Sequence, residues 1–70
     1  MYTYCTIQFV DDQTTCEAII KEDDNLDEYD ELIFFYGYSK EQLEDACRTG
    51  EVLEDEWRVL SVDGEADELY

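Results

Sequence analysis

One short segment, residues 38–50, carries the signals of an α-helix with both ends defined. Ser39 is a candidate N-cap, and Gln42, three residues later, completes a capping box. Gly50 stands where a C-cap glycine is expected. The apolar stripe between these ends consists of Leu43, Ala46 and Cys47. The pattern predicts a helix of about residues 40–49, and one amphipathic helix can cover only one face of a core.

Two segments near the start of the chain alternate between apolar and polar residues, as half-buried strands do. They are residues 1–10 and 14–21, and a polar break at Asp11-Asp12-Gln13 separates them. The apolar positions on one face are Cys5, Ile7 and Phe9 in the first segment and Cys16, Ala18 and Ile20 in the second. A break this short predicts that the two strands form an antiparallel hairpin.

Two further strands are expected later in the chain. The continuous apolar run at 32–36 has strand length, and 57–62 is predicted to be the last strand, closed by a turn at Asp63-Gly64. The acidic segment 22–31 is predicted to be a loop with at most one helical turn, because like charges three and four residues apart oppose a helix.

The resulting order of elements, β-β-β-α-β, predicts the α+β class. We expect a small antiparallel β-sheet of about four strands with one helix packed on one face. Residues 1–64 are expected to form a single acidic domain, and residues 65–70 an acidic C-terminal tail. The uncovered face of such a sheet would expose apolar residues that favour a partner.

Charge is the property that most restricts function. Twenty-one Asp and Glu residues stand against four Lys and Arg residues, which gives a formal net charge of −17 at pH 7. Duplex DNA carries one negative charge per 1.7 Å of axis, so this charge corresponds to roughly 29 Å of duplex. A compact chain of this length has a diameter of about 30 Å. The protein would therefore carry about as much charge as the DNA it could replace.

Several classes of function are disfavoured by what the sequence contains. The chain has no histidine to act as a base and no glycine-rich phosphate loop, so we expect no enzymatic activity and no cofactor. Cys5, Cys16 and Cys47 lack the spacing of a zinc site and are expected to be reduced thiols. No apolar run approaches the roughly 18 residues of a membrane span, and four basic residues are too few to bind nucleic acid directly.

Calcium binding is a less favoured alternative. Asp23, Asn25 and Asp27 have the spacing of the first three ligands of an EF-hand loop. However, Glu28 stands where that loop needs glycine, and Phe34 stands where it needs a bidentate glutamate. We therefore predict no dedicated metal site.

Two acidic segments form the candidate partner-binding surface, because carboxylates accept bidentate arginine forks much as phosphates do. The first consists of Glu22, Asp23, Asp24, Asp27, Glu28, Asp30 and Glu31, and the second of Glu51, Glu54, Asp55 and Glu56. Aromatic residues beside these acids could act as apolar anchors. The candidate anchors are Tyr2, Tyr4, Tyr29, Tyr36 and Trp57.

In size, charge and compactness, the whole chain resembles the small acidic inhibitors that bacteriophages and mobile elements make. Those proteins block restriction enzymes, CRISPR effectors or repair glycosylases. The resemblance implies an inhibitor that mimics the charge of DNA, acting in a bacterial or phage-infected cytoplasm. Its partner would be a basic, nucleic-acid-binding protein.

The alternative is a protein-interaction module or small subunit that mimics nothing and whose acids serve solubility. Under either hypothesis the chain could also form a homodimer through the uncovered sheet face. The mimic hypothesis predicts carboxylates concentrated on one face, whereas the alternative predicts an even scatter.

Overall fold

The sheet is organised around its first strand, which pairs on both sides. The computed structural model of the protein describes residues 1–25 and 33–67. The strands in these ranges are β1 (Tyr2–Phe9), β2 (Thr15–Lys21), β3 (Phe35–Tyr36), β4 (Val52–Leu53) and β5 (Trp57–Ala66). Their order across the sheet is β3-β2-β1-β5-β4, so β1 is central. A single helix in the described ranges, α1 (Lys40–Thr49), packs against the inward face and contacts β5.

The hairpin of β1 and β2 forms as the alternation predicts. The two strands are antiparallel, with Cys5 opposite Ala18 and Ile7 opposite Cys16. The inward-facing Cys5, Ile7, Ala18 and Ile20 are buried in the core. The turn is closed by the Phe9 N–H, which donates to the Thr14 carbonyl at 2.9 Å.

The helix also forms as its capping signals predict, and its ends coincide with the expected ones. The Gln42 N–H donates to Ser39 Oγ at 3.2 Å, and the Ser39 N–H donates to Gln42 Oε1 at 2.8 Å. Gly50 adopts the left-handed C-cap conformation, with φ 76°. Leu43 and Ala46 join the buried residues of the sheet. Burying a side chain such as Leu43 stabilises the fold by about 1.5–3 kcal/mol.

Trp57 lies in the core, which corrects the expectation that it is an exposed anchor. Its side chain is 0% exposed. The Phe35 ring stacks on it with centroids 4.4 Å apart, and the Tyr38 ring meets it edge-on at 5.7 Å. The sheet curls into a half-barrel, so Phe35 on one edge reaches Trp57 across the inward face. This curl, rather than the helix alone, covers the tryptophan.

The fold class is confirmed, with differences in the sheet. The described residues form five strands where about four are predicted, because Val52 and Leu53 in the acidic link pair with β5. The sheet is mixed rather than antiparallel, since β3 pairs parallel to β2. Of the predicted strand at 32–36, Leu32 lies outside the described residues, and in the described remainder the strand is Phe35–Tyr36.

The predicted turn at Asp63-Gly64 is wrong, because β5 continues through both residues to Ala66. The pairing with β1 shifts register twice, between Tyr4 and Cys5 and between Thr6 and Ile7. Asp63 is the extra residue at the first shift, which is therefore a β-bulge inside the strand. No helix among the described residues is long and apolar enough to cross a membrane.

Candidate partner-binding site

The two predicted acidic segments lie at opposite ends of the sheet. Glu22, Asp23 and Asp24 follow β2, at the end where β1 begins. The turn between β4 and β5, at 54–56, lies at the end where β1 finishes, since Phe9 pairs with Trp57. The structure therefore does not join the described acids of the two segments into one face. Asp27, Glu28, Asp30, Glu31 and the candidate anchor Tyr29 lie outside the described residues.

Two turns that are far apart in the sequence and rich in exposed carboxylates are neighbours in the fold. The β1–β2 turn and the β4–β5 turn lie side by side, because the Val10 N–H donates to the Glu56 carbonyl at 2.9 Å. The side chains of the two turns are exposed to solvent. We call this group of carboxylates the turn edge; it consists of Asp11, Asp12, Glu54, Asp55 and Glu56. Glu51, the remaining member of the second segment, is exposed just before β4.

Hydrogen bonds between residues of the β1–β2 turn stabilise this part of the turn edge. Asp12 Oδ1 accepts hydrogen bonds from the Thr14 hydroxyl at 2.7 Å and from the Thr14 N–H at 3.1 Å. The hydroxyl and then the backbone hydrogen bond lower the pKa of Asp12 below its ordinary value. This carboxylate therefore keeps its charge further into the acid range.

The second turn is connected to the core through Tyr38. The Tyr38 hydroxyl donates to Glu54 Oε1 at 2.6 Å, and the Tyr38 ring packs against Trp57. Burial, followed by the hydrogen bond to Glu54, raises the pKa of Tyr38 to about 12. The phenol therefore remains a donor at neutral pH, and the Glu54 carboxylate has a fixed position.

An aromatic groove adjoins the turn edge. It has a volume of about 310 Å³ and is lined by Phe34, Phe35, Tyr36, Glu54 and Glu56. Phe34 and Tyr36 are each 50% exposed, although both are large apolar side chains. The groove exists because the curled sheet brings the β3 edge close to the β4–β5 turn. Exposed aromatic surface and carboxylates thus share one site.

The remaining described anchors lie in two different places. Tyr36 lines the aromatic groove, whereas Tyr2 and Tyr4 lie half-buried on the sheet face opposite the helix. The Lys21 ammonium lies 6.0 Å from the centroid of the Tyr2 ring. Only Tyr36 among the described anchors is therefore beside the turn edge.

The described part of the calcium-like segment is arranged around a lysine. The Lys21 ammonium lies 3.7 Å from Asp23 Oδ1 and donates to the Asn25 carbonyl. The Asn25 N–H donates to Asp23 Oδ1 at 3.0 Å. Asp27 lies outside the described residues. Within residues 1–25 and 33–67, no group of three or more potential metal ligands is clustered.

The three cysteines are all unpaired thiols. Cys5 is fully buried, and burial is the main cause that raises its pKa to about 12, followed by the charge of Asp63. The Cys47 thiol donates to the Leu60 carbonyl at 3.2 Å. A protonated, enclosed Cys5 is a core residue and is poorly suited to act as a nucleophile.

Sequence reasoning missed Asp11, Asp12 and Phe34 as members of the site. The hairpin was predicted, and so was a strand starting at Trp57. Placing that strand antiparallel beside β1 would have brought the Asp11-Asp12 turn next to the 54–56 segment. No sequence signal specified that neighbour.

No family model, curated protein or solved structure matches this chain.

Proposed function

We propose that the chain is a small acidic inhibitor that binds a basic, nucleic-acid-binding protein by presenting nucleic-acid-like charge. The turn edge and the aromatic groove together would form the binding surface. The inhibitor would act as those of bacteriophages and mobile elements do, by occupying a groove that is built for a polyanion.

The size and charge of the molecule support this proposal. The described chain measures 29 × 22 × 19 Å along its principal axes, and the whole chain carries a net charge of −17. That charge would occupy roughly 29 Å of duplex DNA. A cationic groove that accepts such a duplex could accept this molecule with a comparable release of counterions.

The observation that carries the proposal is the turn edge beside exposed aromatic side chains. Val10 and Glu56 fix the two turns to each other, and Tyr38 fixes Glu54 to the core. Because Glu54 is held in this way, it can pair with Lys or Arg at a lower entropic cost than a freely rotating side chain. Phe34 and Tyr36 supply apolar contact, which gives an interface its specificity.

A second candidate is an interaction module without mimicry. The observation that favours it is the position of Glu22, Asp23 and Asp24, which lie at the opposite end of the sheet from the turn edge. Acids at both ends serve solubility equally well. Such a module would bind through apolar contacts, and its affinity would depend little on salt.

The two candidates are separated by affinity capture followed by competition. The immobilised protein is incubated with bacterial lysate and eluted with a salt gradient. Mimicry predicts a basic nucleic-acid-binding protein that elutes with increasing salt and whose DNA is displaced by the free inhibitor. A captured partner that resists high salt, or that binds DNA and the inhibitor together, would contradict mimicry.

A pair of matched triple variants tests the location of the surface. One neutralises the turn edge with Asp11→Asn, Asp55→Asn and Glu56→Gln, and the other neutralises the opposite end with Glu22→Gln, Asp24→Asn and Asp67→Asn. Both remove three charges, so long-range attraction falls equally. At up to about 1 kcal/mol per lost contact, the first variant should weaken binding tenfold or more, and the second should weaken it less. Equal losses would show that the turn edge is not the binding surface.

A further inference from the structure

A second concavity lies on the sheet face opposite the helix, away from the aromatic groove. We call it the outer-face pocket. It has a volume of about 400 Å³ and is lined by Tyr4, Cys5, Glu17, Ala18, Ile19 and Asp63. Its members belong to the three central strands, which are the most extensively paired part of the fold.

The pairing of β1 with β2 forms the floor and one wall of the pocket. Cys5 and Ala18 lie opposite each other and are buried, so their side chains point into the core and their backbone forms the floor. Tyr4 pairs with Ile19, and Glu17 lies one step further along the same face. The wall therefore combines an aromatic ring, an aliphatic side chain and a carboxylate.

The bulge in β5 supplies the opposite wall. Asp63 is the extra residue there, and its carboxylate reaches over β1. The Thr6 hydroxyl donates to Asp63 Oδ2 at 2.8 Å, and the Ser61 hydroxyl donates to Asp63 Oδ1 at 2.8 Å. A carboxylate has about four acceptor positions, so two hydrogen bonds leave it able to accept more.

Neither carboxylate of the pocket is neutralised by a described basic side chain. Lys21 pairs with Asp23, Lys40 pairs with Glu44 and Glu65, and Arg48 pairs with Asp45, while Arg58 makes no ion pair with a described residue. Among the described residues, no ion pair involves Glu17 or Asp63. The pocket thus presents two anionic groups beside apolar surface.

We infer that the outer-face pocket receives an arginine side chain of a basic partner protein. A guanidinium is flat and stacks on an aromatic ring such as Tyr4, and its fork of donors matches carboxylates. Its three-carbon stem would lie along Ile19. This inference rests on the proposed function, because that proposal supplies the basic partner. It adds a contact at the outer-face pocket, which lies on a different face from the turn edge.

The pocket is tested without the partner, using a short peptide as the probe. The peptide acetyl-Gly-Arg-Gly-amide is titrated into the ¹⁵N-labelled protein and followed by NMR. The expected shifts are confined to the amides around Tyr4, Glu17, Ile19 and Asp63. The same peptide with citrulline, a neutral analogue of arginine, should cause none, and the lysine peptide should bind more weakly.

Matched variants assign the shifts to the carboxylate. Glu17→Gln should weaken binding up to about fivefold, whereas Glu41→Gln, the same exchange on the helix, should have little effect. Tyr4→Leu keeps an apolar side chain but removes the ring, and it should reduce the preference for arginine over lysine. Within residues 1–25 and 33–67 the Glu17 side chain makes no hydrogen bond, so Glu17→Gln breaks no such contact there.

The inference is wrong if the shifts spread over the turn edge, if both Gln variants weaken binding equally, or if the citrulline peptide binds as well. It fails separately from the proposed function. If the arginine peptide binds locally but no DNA-displacing partner is found, the pocket inference stands and the mimicry proposal is wrong. A DNA-displacing partner that Glu17→Gln and Tyr4→Leu bind normally, with no localised peptide shifts, would overturn the pocket alone.

Discussion

The β4–β5 turn carries two acidic residues in a backbone conformation that favours glycine. Glu54 and Asp55 have φ values of 56° and 54°, and the Glu56 N–H donates to the Leu53 carbonyl at 3.0 Å. Positive φ at both central residues is the pattern of a type I′ hairpin turn, for which Asn-Gly is preferred. We predict that Asp55→Gly is more stable than Asp55→Ala.

The size of the difference follows from two opposing effects. Holding an L-residue in the left-handed region costs roughly 1–2 kcal/mol, which glycine avoids. Glycine loses about 0.5–1 kcal/mol more backbone entropy on folding than alanine does. From the middle of each range, the net advantage of Asp55→Gly over Asp55→Ala should be about 0.75 kcal/mol. For a domain of this size, that raises Tm by about 3–6 °C. Both variants remove the same charge, so the difference is independent of electrostatics.

The assay is thermal and urea denaturation followed by circular dichroism. Glu56 supplies the control, because it lies in the same turn without a positive φ. There, glycine should be no better than alanine. If Asp55→Gly were equal to or less stable than Asp55→Ala, the left-handed conformation of the turn, and with it the described arrangement of the turn edge, would be refuted.

Three further predictions concern the fold as a whole. Ser39→Ala should reduce the free energy of unfolding by about 1 kcal/mol through loss of the capping box, and Ser39→Thr should retain most of it in urea denaturation. Burial is the main cause that raises the pKa of the Cys5 thiol from 9.0, and the pKa of the Tyr38 phenol from 10.0, to about 12. The contribution of these two protonated groups to the stability of the fold is therefore complete below pH 9 and is lost as the pH rises towards 12. Urea midpoints at several alkaline pH values should therefore fall, less steeply in Tyr38→Phe; a constant midpoint would contradict this. Raising NaCl to about 0.5 M should increase Tm, because the net charge of −17 repels itself and salt screens that repulsion; an unchanged Tm would show that the anions do not destabilise the fold.

Local signals predicted the elements whose ends are determined by their own residues. Ser39, Gln42 and Gly50 make contacts within a few positions of themselves, so the helix could be placed from sequence. The alternation of apolar and polar residues in β1 and β2 likewise indicates which face of each strand is buried. These signals depend on neighbours in the chain and not on the rest of the fold.

Elements that depend on distant pairing could not be placed. Asp63-Gly64 forms a turn in many contexts, but here Tyr2 to Tyr4 offer unpaired backbone, and β5 continues alongside them. The parallel direction of β3 relative to β2 is not encoded by any periodicity of the sequence. The burial of Trp57 and the proximity of the two turns both follow from sheet curvature. For the same reason, the turn edge and the outer-face pocket appear only in the folded structure.

The central position of β1 determines when this protein can fold during synthesis. β1 leaves the ribosome before β5, which is its neighbour in the sheet but lies about fifty residues later in the chain. Until β5 emerges, the hairpin of β1 and β2 has one bare edge, and Trp57 is missing from the core. An isolated hairpin is at best marginally stable in water. The nascent chain should therefore stay unfolded and sensitive to proteases, and acquire its structure in a single step after β5 has been translated.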